Sequence, residues 1–300
     1  MRRIACRQHG LELEEAPRPT PGQGELLIEV DAIGVSLPVV RLKGTNGEVP
    51  GGDVVGRVAA TGPDVTGWEI GQRVAGLAFT GAYAEFATVA TPFAAPVPDE
   101  VDDAAAVALV RGGQVALGTL WAAAMRPGES VLVTAAAGGV GHLAVQLAQA
   151  FGASRVVAAV GDDTKAAFVR EIGANEVIRY DKPDTDPVDI VLDGVGGQAQ
   201  TATLPLLAPF GRFVSFNAAG EPVDVNELRF HARSVIGFAM AHFASRRPEV
   251  YARHRRELWD LNVQGKLRPA VHAVLDLTDA AEAHRVIEAR ANLGKIVLTP

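Results

Sequence analysis

Val131-Leu132-Val133-Thr134-Ala135-Ala136-Ala137-Gly138-Gly139-Val140-Gly141 decides the fold. Three branched apolar residues make a short strand buried on both faces, and the chain then turns through residues with almost no side chain. Ala135, Gly138 and Gly141 fall where a side chain would obstruct, in turn, the tight turn, the approach of phosphate oxygens to backbone N–H groups, and the packing of helix on strand. Ala136, Gly139 and Val140 complete the turn. A helix opening here offers unpaired N–H groups and a partial positive charge, so the segment is expected to cradle the diphosphate of a dinucleotide.

Glycine also marks ordinary turns, so the flanks matter. Val140, Leu143, Ala144, Leu147, Ala148 and Phe151 recur at helical spacing, and Gly152 ends that helix. Arg155–Val160 is a second apolar strand; Asp162-Asp163-Thr164 starts a helix carried from Lys165 to Ile172. Strands at Asp189–Leu192 and Arg212–Phe216 enclose a helical stretch around Ala199 to Leu207. This alternation predicts a doubly wound parallel sheet, the Rossmann arrangement, in an α/β chain.

The N-terminal part differs. Leu26–Gly34 and Asp53–Ala60 are strand-like and punctuated by Gly-containing turns, which predicts a compact, mostly β domain. An alanine-rich helix from Asp102 to Val110 leads out of it, with Arg111-Gly112-Gly113 as the crossing. Val271–Leu275, a helix from Ala280 to Ala289 and a strand at Lys295–Leu298 close the chain. A last strand of this kind pairs back into the first domain, giving residues 1–111 with 267–300 as one domain and 112–266 as the nucleotide domain.

With 300 residues and 48% hydrophobic content the chain can bury cores of this size. No signal-like apolar stretch follows Met1-Arg2-Arg3, and no apolar run is expected to span a membrane, so the expected location is the cytoplasm. A net charge of -7 argues against nucleic acid as a partner. Arg246, Arg247, Arg253, Arg255 and Arg256 run against that trend; they read either as a basic strip for RNA or as a solvated helix face pairing with Glu249 and Glu257, and the second is adopted. The single Cys6 excludes a disulfide or thiolate cluster within the chain and is expected to be an inert buried thiol. The seven histidines are scattered, so no metal site is expected.

The order of segments resembles the medium-chain dehydrogenase/reductase family, in its zinc-independent quinone oxidoreductase branch. The resemblance is carried by Gly24–Val30, Val65–Gly76, Gly81–Glu85, Ala135–Gly141, Val191–Gly197 and Gly294–Leu298. It implies a GroES-like β-rich substrate domain, a Rossmann cofactor domain, an active site between the two, and a homodimer. Where zinc alcohol dehydrogenases of the family place a cysteine and then a histidine ligand, this chain has Ser36 and, within Pro50-Gly51-Gly52-Asp53, Asp53. Catalytic zinc is therefore not expected. Without a Lewis acid, an isolated carbonyl loses several kcal/mol of oxyanion stabilisation, whereas a quinone or enone spreads the charge over its conjugated system. The expected reaction is hydride transfer from NADPH to such a small-molecule acceptor. An enoyl reductase of secondary metabolism and a non-catalytic NADPH-binding protein of the same fold are the alternatives.

Asp162 lies at the distance past the turn where an acidic residue selects NADH, while Lys165 and Tyr180 stand where similar reductases hold the extra phosphate of NADPH. The same three residues also read as a helix cap, a first-turn lysine and a packing tyrosine. NADPH is favoured over NADH. The family further implies cofactor contacts at Gly194, Val195, Phe216, Asn217 and Lys295, although a lysine before a strand also reads as solvated. Ser36 and Tyr83 are the candidates for the group meeting the substrate oxygen, with packing as the other account of Tyr83. Leu37, Phe79, Phe238, His242 and Phe243 are the expected pocket residues.

Overall fold

The computed structural model describes residues 1–42, 47–216 and 219–300, which divide into two units. One comprises Met1–Arg111, Arg255–Val263 and Pro269–Pro300; the other comprises Gly112–His254 and Gln264–Arg268.

The second unit is built on six parallel strands. Their order across the sheet is Glu176–Arg179, Arg155–Val160, Ser130–Thr134, Val188–Asp193, Leu207–Ser215 and Ser234–Gly237. In chain order this is 3-2-1-4-5-6, with the switch point between Ser130–Thr134 and Val188–Asp193, where open α/β sheets place ligands beyond the carboxyl ends of the strands. The middle strands are buried on both faces, as their unbroken apolar runs require: Leu132, Val157, Val191, Leu207 and Phe213 form one core cluster. The helix after the turn spans Gly141–Ala150 and buries Leu143, Ala144, Leu147 and Ala148 against this sheet.

Two expected boundaries move. Lys165 closes a 3-10 turn, Asp163–Lys165, and the α-helix proper is Ala166–Glu171. The helical stretch expected to reach Leu207 ends earlier. It consists of Gly197–Thr203 and a 3-10 turn at Leu204–Leu206 carrying Pro205, and Leu207 already belongs to the fifth strand. Proline lacks the N–H that would continue an α-helix, so the chain is released there.

The first unit carries a seven-stranded sheet. Its main path runs Val271–Asp276, Lys295–Thr299, Glu25–Val35, Gly52–Thr61, Arg73–Ala78 and Ala94–Pro96, and Phe86–Ala90 pairs with the start of Glu25–Val35. The last strand lies antiparallel to the third, with Ile296 opposite Val35 and Leu298 opposite Ile33. Leu26, Ile28, Ile33, Val54 and Leu298 lie in the core of this unit, which the helix Ala280–Glu288 joins through Ala283 and Ile287. A hairpin of Arg2–Arg7 and Gly10–Glu15 stands apart from the sheet. Cys6 is buried and unpaired with sulfur.

The helix Pro248–Val263 serves both units. Its residues up to His254 belong to the second unit and Arg255–Val263 to the first; Tyr251, Leu258 and Trp259 are buried. One arginine of the basic run has a structural duty within the first unit: Arg255 donates to the carbonyl oxygens of Ala94 (2.7 Å) and Pro92 (3.3 Å). The run Asp103–Ala122 is long and apolar enough to cross a membrane by length and composition, contrary to expectation, but 78% of its window is buried in the fold, the mark of a core helix.

Candidate functional site

In the second unit, the turn after Ser130–Thr134 has the shape its small residues demand. Ala135 adopts a positive φ of 47°, and its carbonyl accepts from Gly138 N–H at 2.8 Å, closing the turn. A Cβ on Gly141 would stand 2.7 Å from Ala135 C and 2.8 Å from Ala136 Cα, and closer still to the Ala135 carbonyl oxygen. Gly138 is less confined: its nearest neighbour would be the same oxygen at 3.2 Å. Gly141 therefore serves helix-on-strand packing, and Gly138 keeps the mouth of the turn clear.

One of the residues expected to choose the cofactor lies beside this turn. Tyr180 follows the third strand, and its hydroxyl accepts from Ala135 N–H at 2.6 Å; its ring lies 3.6 Å from where a Cβ on Gly161 would be. Asp162 accepts from Thr164 N–H at 2.8 Å and so caps the 3-10 turn that ends at Lys165. That backbone bond, with Arg179 and Lys165 nearby, holds its carboxyl below the usual aspartate range. Arg179 pairs with Asp181 at 2.8 Å and Asp163 at 3.3 Å. The Asp162 carboxylate is thus committed to a cap.

At the end of the fourth strand a buried carboxylate organises the loop. Asp193 accepts from the Thr134 hydroxyl at 2.9 Å and from Val195 and Gly196 N–H, and Thr134 in turn accepts from Gly194 N–H at 2.9 Å. The N–H groups of Gly194 and Val195, two of the expected cofactor residues, are thereby used within the loop. Phe216 lies over Gly194, where a Cβ would be 2.6 Å from its ring. Asn217 lies outside the described residues. The Thr134–Asp193 bracket went unnoticed in the sequence, although a charged residue ending an apolar strand signals a buried polar network.

The first unit holds a charged cluster. Asp53 is fully buried on strand Gly52–Thr61, with Gly34 as its cross-strand neighbour. Lys295 Nζ lies 2.5 Å from one of its carboxylate oxygens, and Arg111 Nε lies 2.8 Å from the other. Lys295 is 5% exposed at its side chain, so the solvated account of this lysine is corrected: its cation is buried because Asp53 neutralises it. Gly34 makes the room, since a Cβ there would be 2.6 Å from Lys295 Cε. Arg111 sits in a π-helical turn, Leu109–Gly113, between the helices Asp103–Ala108 and Gln114–Ala122. The Ser36 hydroxyl oxygen is buried with no hydrogen-bond partner among the described residues.

Tyr83 is fully buried in the same unit. Its hydroxyl shares a 3.1 Å hydrogen bond with His284 Nε2, and burial, reinforced by Asp53, pushes the phenol far above its ordinary range. Its burial and this bond fit the packing account of Tyr83. The pocket candidates also divide. Leu37 packs on the first unit's core, and Phe79, exposed, makes an edge contact with Phe93 at 5.0 Å. In the second unit, Phe243 is buried at the centre of an aromatic cluster: Trp121 at 5.0 Å, His254 at 5.4 Å and Phe238 at 5.5 Å. His242, its neighbour, is exposed. Among the described residues, no group of three or more His, Cys, Asp or Glu is placed to hold a metal ion.

Two family models cover most of this architecture: the alcohol dehydrogenase GroES-like domain over residues 22–99 and the zinc-binding dehydrogenase domain over residues 172–298. The solved structure of mycobacterial Rv1454c complexed with NADPH is 32% identical, with a TM-score of 0.92 and full coverage of both chains. Escherichia coli quinone oxidoreductase complexed with NADPH is 26% identical, with a TM-score of 0.89, again over 100% of each chain. Among curated proteins, a mycocerosic acid synthase-like polyketide synthase of Mycobacterium tuberculosis is 31% identical over 96% of this chain. The chain spans about 15% of that relative's length. The chain belongs to the medium-chain dehydrogenase/reductase family, in its quinone oxidoreductase-like branch.

Proposed function

We propose that this protein is a reductase that transfers hydride from NADPH to a quinone or another conjugated carbonyl compound. The observation that carries this reading is the turn at Ala135–Gly141. It leaves a small-residue cradle at the sheet's switch point, where a Cβ on Gly141 would collide with backbone, and it opens a ten-residue helix toward the anion position. Similarity to two proteins solved with NADPH supports the choice of dinucleotide.

When bound, NADPH supplies the hydride. The chain's own residues hold and orient it: Gly138, Gly139 and the start of the helix Gly141–Ala150 meet the diphosphate, and Lys165 with Tyr180 meets the phosphate that distinguishes NADPH from NADH. Phe216 over Gly194 gives an apolar wall beyond the fourth and fifth strands. Excluding water there favours transfer to carbon over loss of hydride to protons. We assign the protein to the cytoplasm as a homodimer without catalytic zinc; the family resemblance and the loss of cysteine and histidine ligands at Ser36 and Asp53 support this reading.

Calorimetric titration with NADPH and NADH tests the cofactor, and acceptor-dependent loss of the reduced cofactor's near-ultraviolet absorbance tests the reaction. Tight NADPH binding with turnover of a quinone panel is expected. No heat with either cofactor would refute the reading. A second reading, an enoyl reductase acting on unsaturated acyl chains, is supported by the polyketide synthase relatives, and selective turnover of enoyl thioesters over quinones would favour it.

A further inference from the structure

Thr134 and Asp193 end neighbouring strands at the point where the strand order of the second unit reverses. The register sets Leu192 beside Val133, so the next residue of each strand meets the other at the carboxyl edge of the sheet. Both are fully buried. The Thr134 hydroxyl donates to Asp193 Oδ1 at 2.9 Å and accepts from Gly194 N–H at 2.9 Å, so one group uses its donor and an acceptor position at once.

This pair reaches three segments that flank the switch point. Thr134 leads directly into Ala135, whose positive φ of 47° opens the diphosphate turn. Asp193 accepts from Val195 N–H at 3.1 Å and from Gly196 N–H at 3.1 and 3.2 Å, so three successive N–H groups of the loop are turned toward the pair. Such a run of backbone N–H groups forms a concavity suited to an anion. Here the chain fills it with its own carboxylate and hydroxyl. The Asp193 carbonyl oxygen accepts from Phe216 N–H at 3.0 Å, and the Phe216 ring occupies the space that a Cβ on Gly194 would need. An apolar pair of the same shape would hold the strands about as well, so what the polar pair adds is a fixed spacing between turn, loop and Phe216.

We propose that Thr134 is a positioning residue that, through Asp193, holds the two sides of the dinucleotide site at the spacing NADPH requires. This rests on the NADPH reading above. In an open α/β sheet a dinucleotide lies across the switch point, with its diphosphate at the first turn and its two halves on either side. The pair ties the turn to the side of Val188–Asp193 and Leu207–Ser215, and leaves the side of Arg155–Val160 and Glu176–Arg179 untouched. Being buried, Thr134 acts through the loop and Phe216 rather than on NADPH itself. Without its hydroxyl the loop can drift from the turn. A ligand spanning both must then restore the spacing, whereas a ligand confined to the adenosine side need not.

The test uses the full chain with Thr134→Val, which keeps the shape and removes the hydroxyl, and Thr134→Ser, which keeps the hydroxyl. Calorimetric titration compares NADPH with adenosine 2′,5′-bisphosphate, a fragment that carries the adenosine and its extra phosphate but no nicotinamide. Thr134→Val should weaken NADPH by about tenfold and leave the fragment within about twofold of wild type. Thr134→Ser should bind NADPH within about threefold of wild type. Should Thr134→Val not fold, Asp193→Asn takes its place: it keeps the oxygen shared by Thr134, Val195 and Gly196 and sets an amide donor against Gly196 N–H, and the same split between NADPH and the fragment is expected. A Thr134→Val protein that matches wild type on NADPH overturns the proposal. So does a Thr134→Ser protein as weak as Thr134→Val, or an equal loss on NADPH and the fragment, which general loosening of the fold would give. A wild type that binds no NADPH overturns the NADPH reading and the proposal with it, whereas failure confined to the variants leaves that reading standing.

Discussion

Replacing Gly141 by alanine adds one methyl group at the tightest point of the structure. The new Cβ would lie 2.7 Å from Ala135 C and 2.8 Å from Ala136 Cα, both backbone atoms, whereas ordinary contact begins at 3.4 Å. The helix Gly141–Ala150 must therefore retreat from the strand by more than about half an ångström, because neither neighbour is a side chain that can rotate away. Overpacking of this kind costs about 1–3 kcal/mol, or roughly 2–12 °C in Tm for a domain of this size. Gly138→Ala is the internal control. Its nearest neighbour would be at 3.2 Å, only a few tenths of an ångström too close, so its Tm should stay within about 2 °C of wild type. Its Cβ would instead project into the mouth of the turn, so NADPH binding should weaken with little loss of stability. Calorimetric unfolding and cofactor titration of the two variants separate these effects. A Gly141→Ala protein with wild-type Tm, or one no less stable than Gly138→Ala, would refute the packing role assigned to Gly141.

Three further outcomes are expected. Asp53→Asn removes the carboxylate from between two cations and should cost about 3–5 kcal/mol; Lys295→Met leaves Asp53 paired with Arg111 and should cost less, as read from urea midpoints. Burial, helped by Arg253, pulls His254 down to about 4, so the folded state resists protonating it and the unfolded state binds the extra proton first. Stability from this group is present above about pH 6.5 and lost as pH falls toward 4, up to about 3 kcal/mol in all; His254→Asn should flatten urea stability over that window, and an unchanged slope would refute the assignment. Lys165→Ala should weaken NADPH by about tenfold or more and leave NADH nearly unchanged; equal effects on both would remove Lys165 from the phosphate site.

The parallel sheet was legible because two local signals coincide. Runs such as Val131–Val133 and Arg155–Val160 are apolar on both faces, and small residues or glycines punctuate the intervening helices. The hairpin of Arg2–Arg7 with Gly10–Glu15 escaped notice although Leu11 and Leu13 alternate with Glu12 and Glu14, because two apolar residues are too few to establish a period. Glu14 is held there by Arg3 and Arg7, pairings that no periodicity reveals. The edge strands Glu176–Arg179 and Ser234–Gly237, four residues each, are too short to show a period. At the site, the turn could be read because it is one contiguous segment. The Asp53, Arg111 and Lys295 cluster could not, since its members are 58 and 242 residues from Asp53 along the chain. The available clue was an aspartate set in the apolar strand Gly52-Asp53-Val54-Val55, a place where a charge needs a partner. Tyr83 and Phe243 show a different difficulty: an aromatic residue near a motif reads alike in sequence whether it packs or lines a site, and the contacts of Tyr83 with His284 and of Phe243 with His254 come from segments far along the chain or across a helix.

The last strand, Lys295–Thr299, has a bearing on how the protein is made. It lies between Val271–Asp276 and Glu25–Val35, so the first unit's sheet stays split until residue 299 has left the ribosome. The strands of the nucleotide unit, by contrast, are all complete by Gly237 and can close while synthesis continues. During that interval the backbone of Ile33–Val35 is an unpaired edge, open to the wrong neighbour. Nascent chains stalled before residue 295 should therefore carry a protease-resistant middle and a vulnerable beginning.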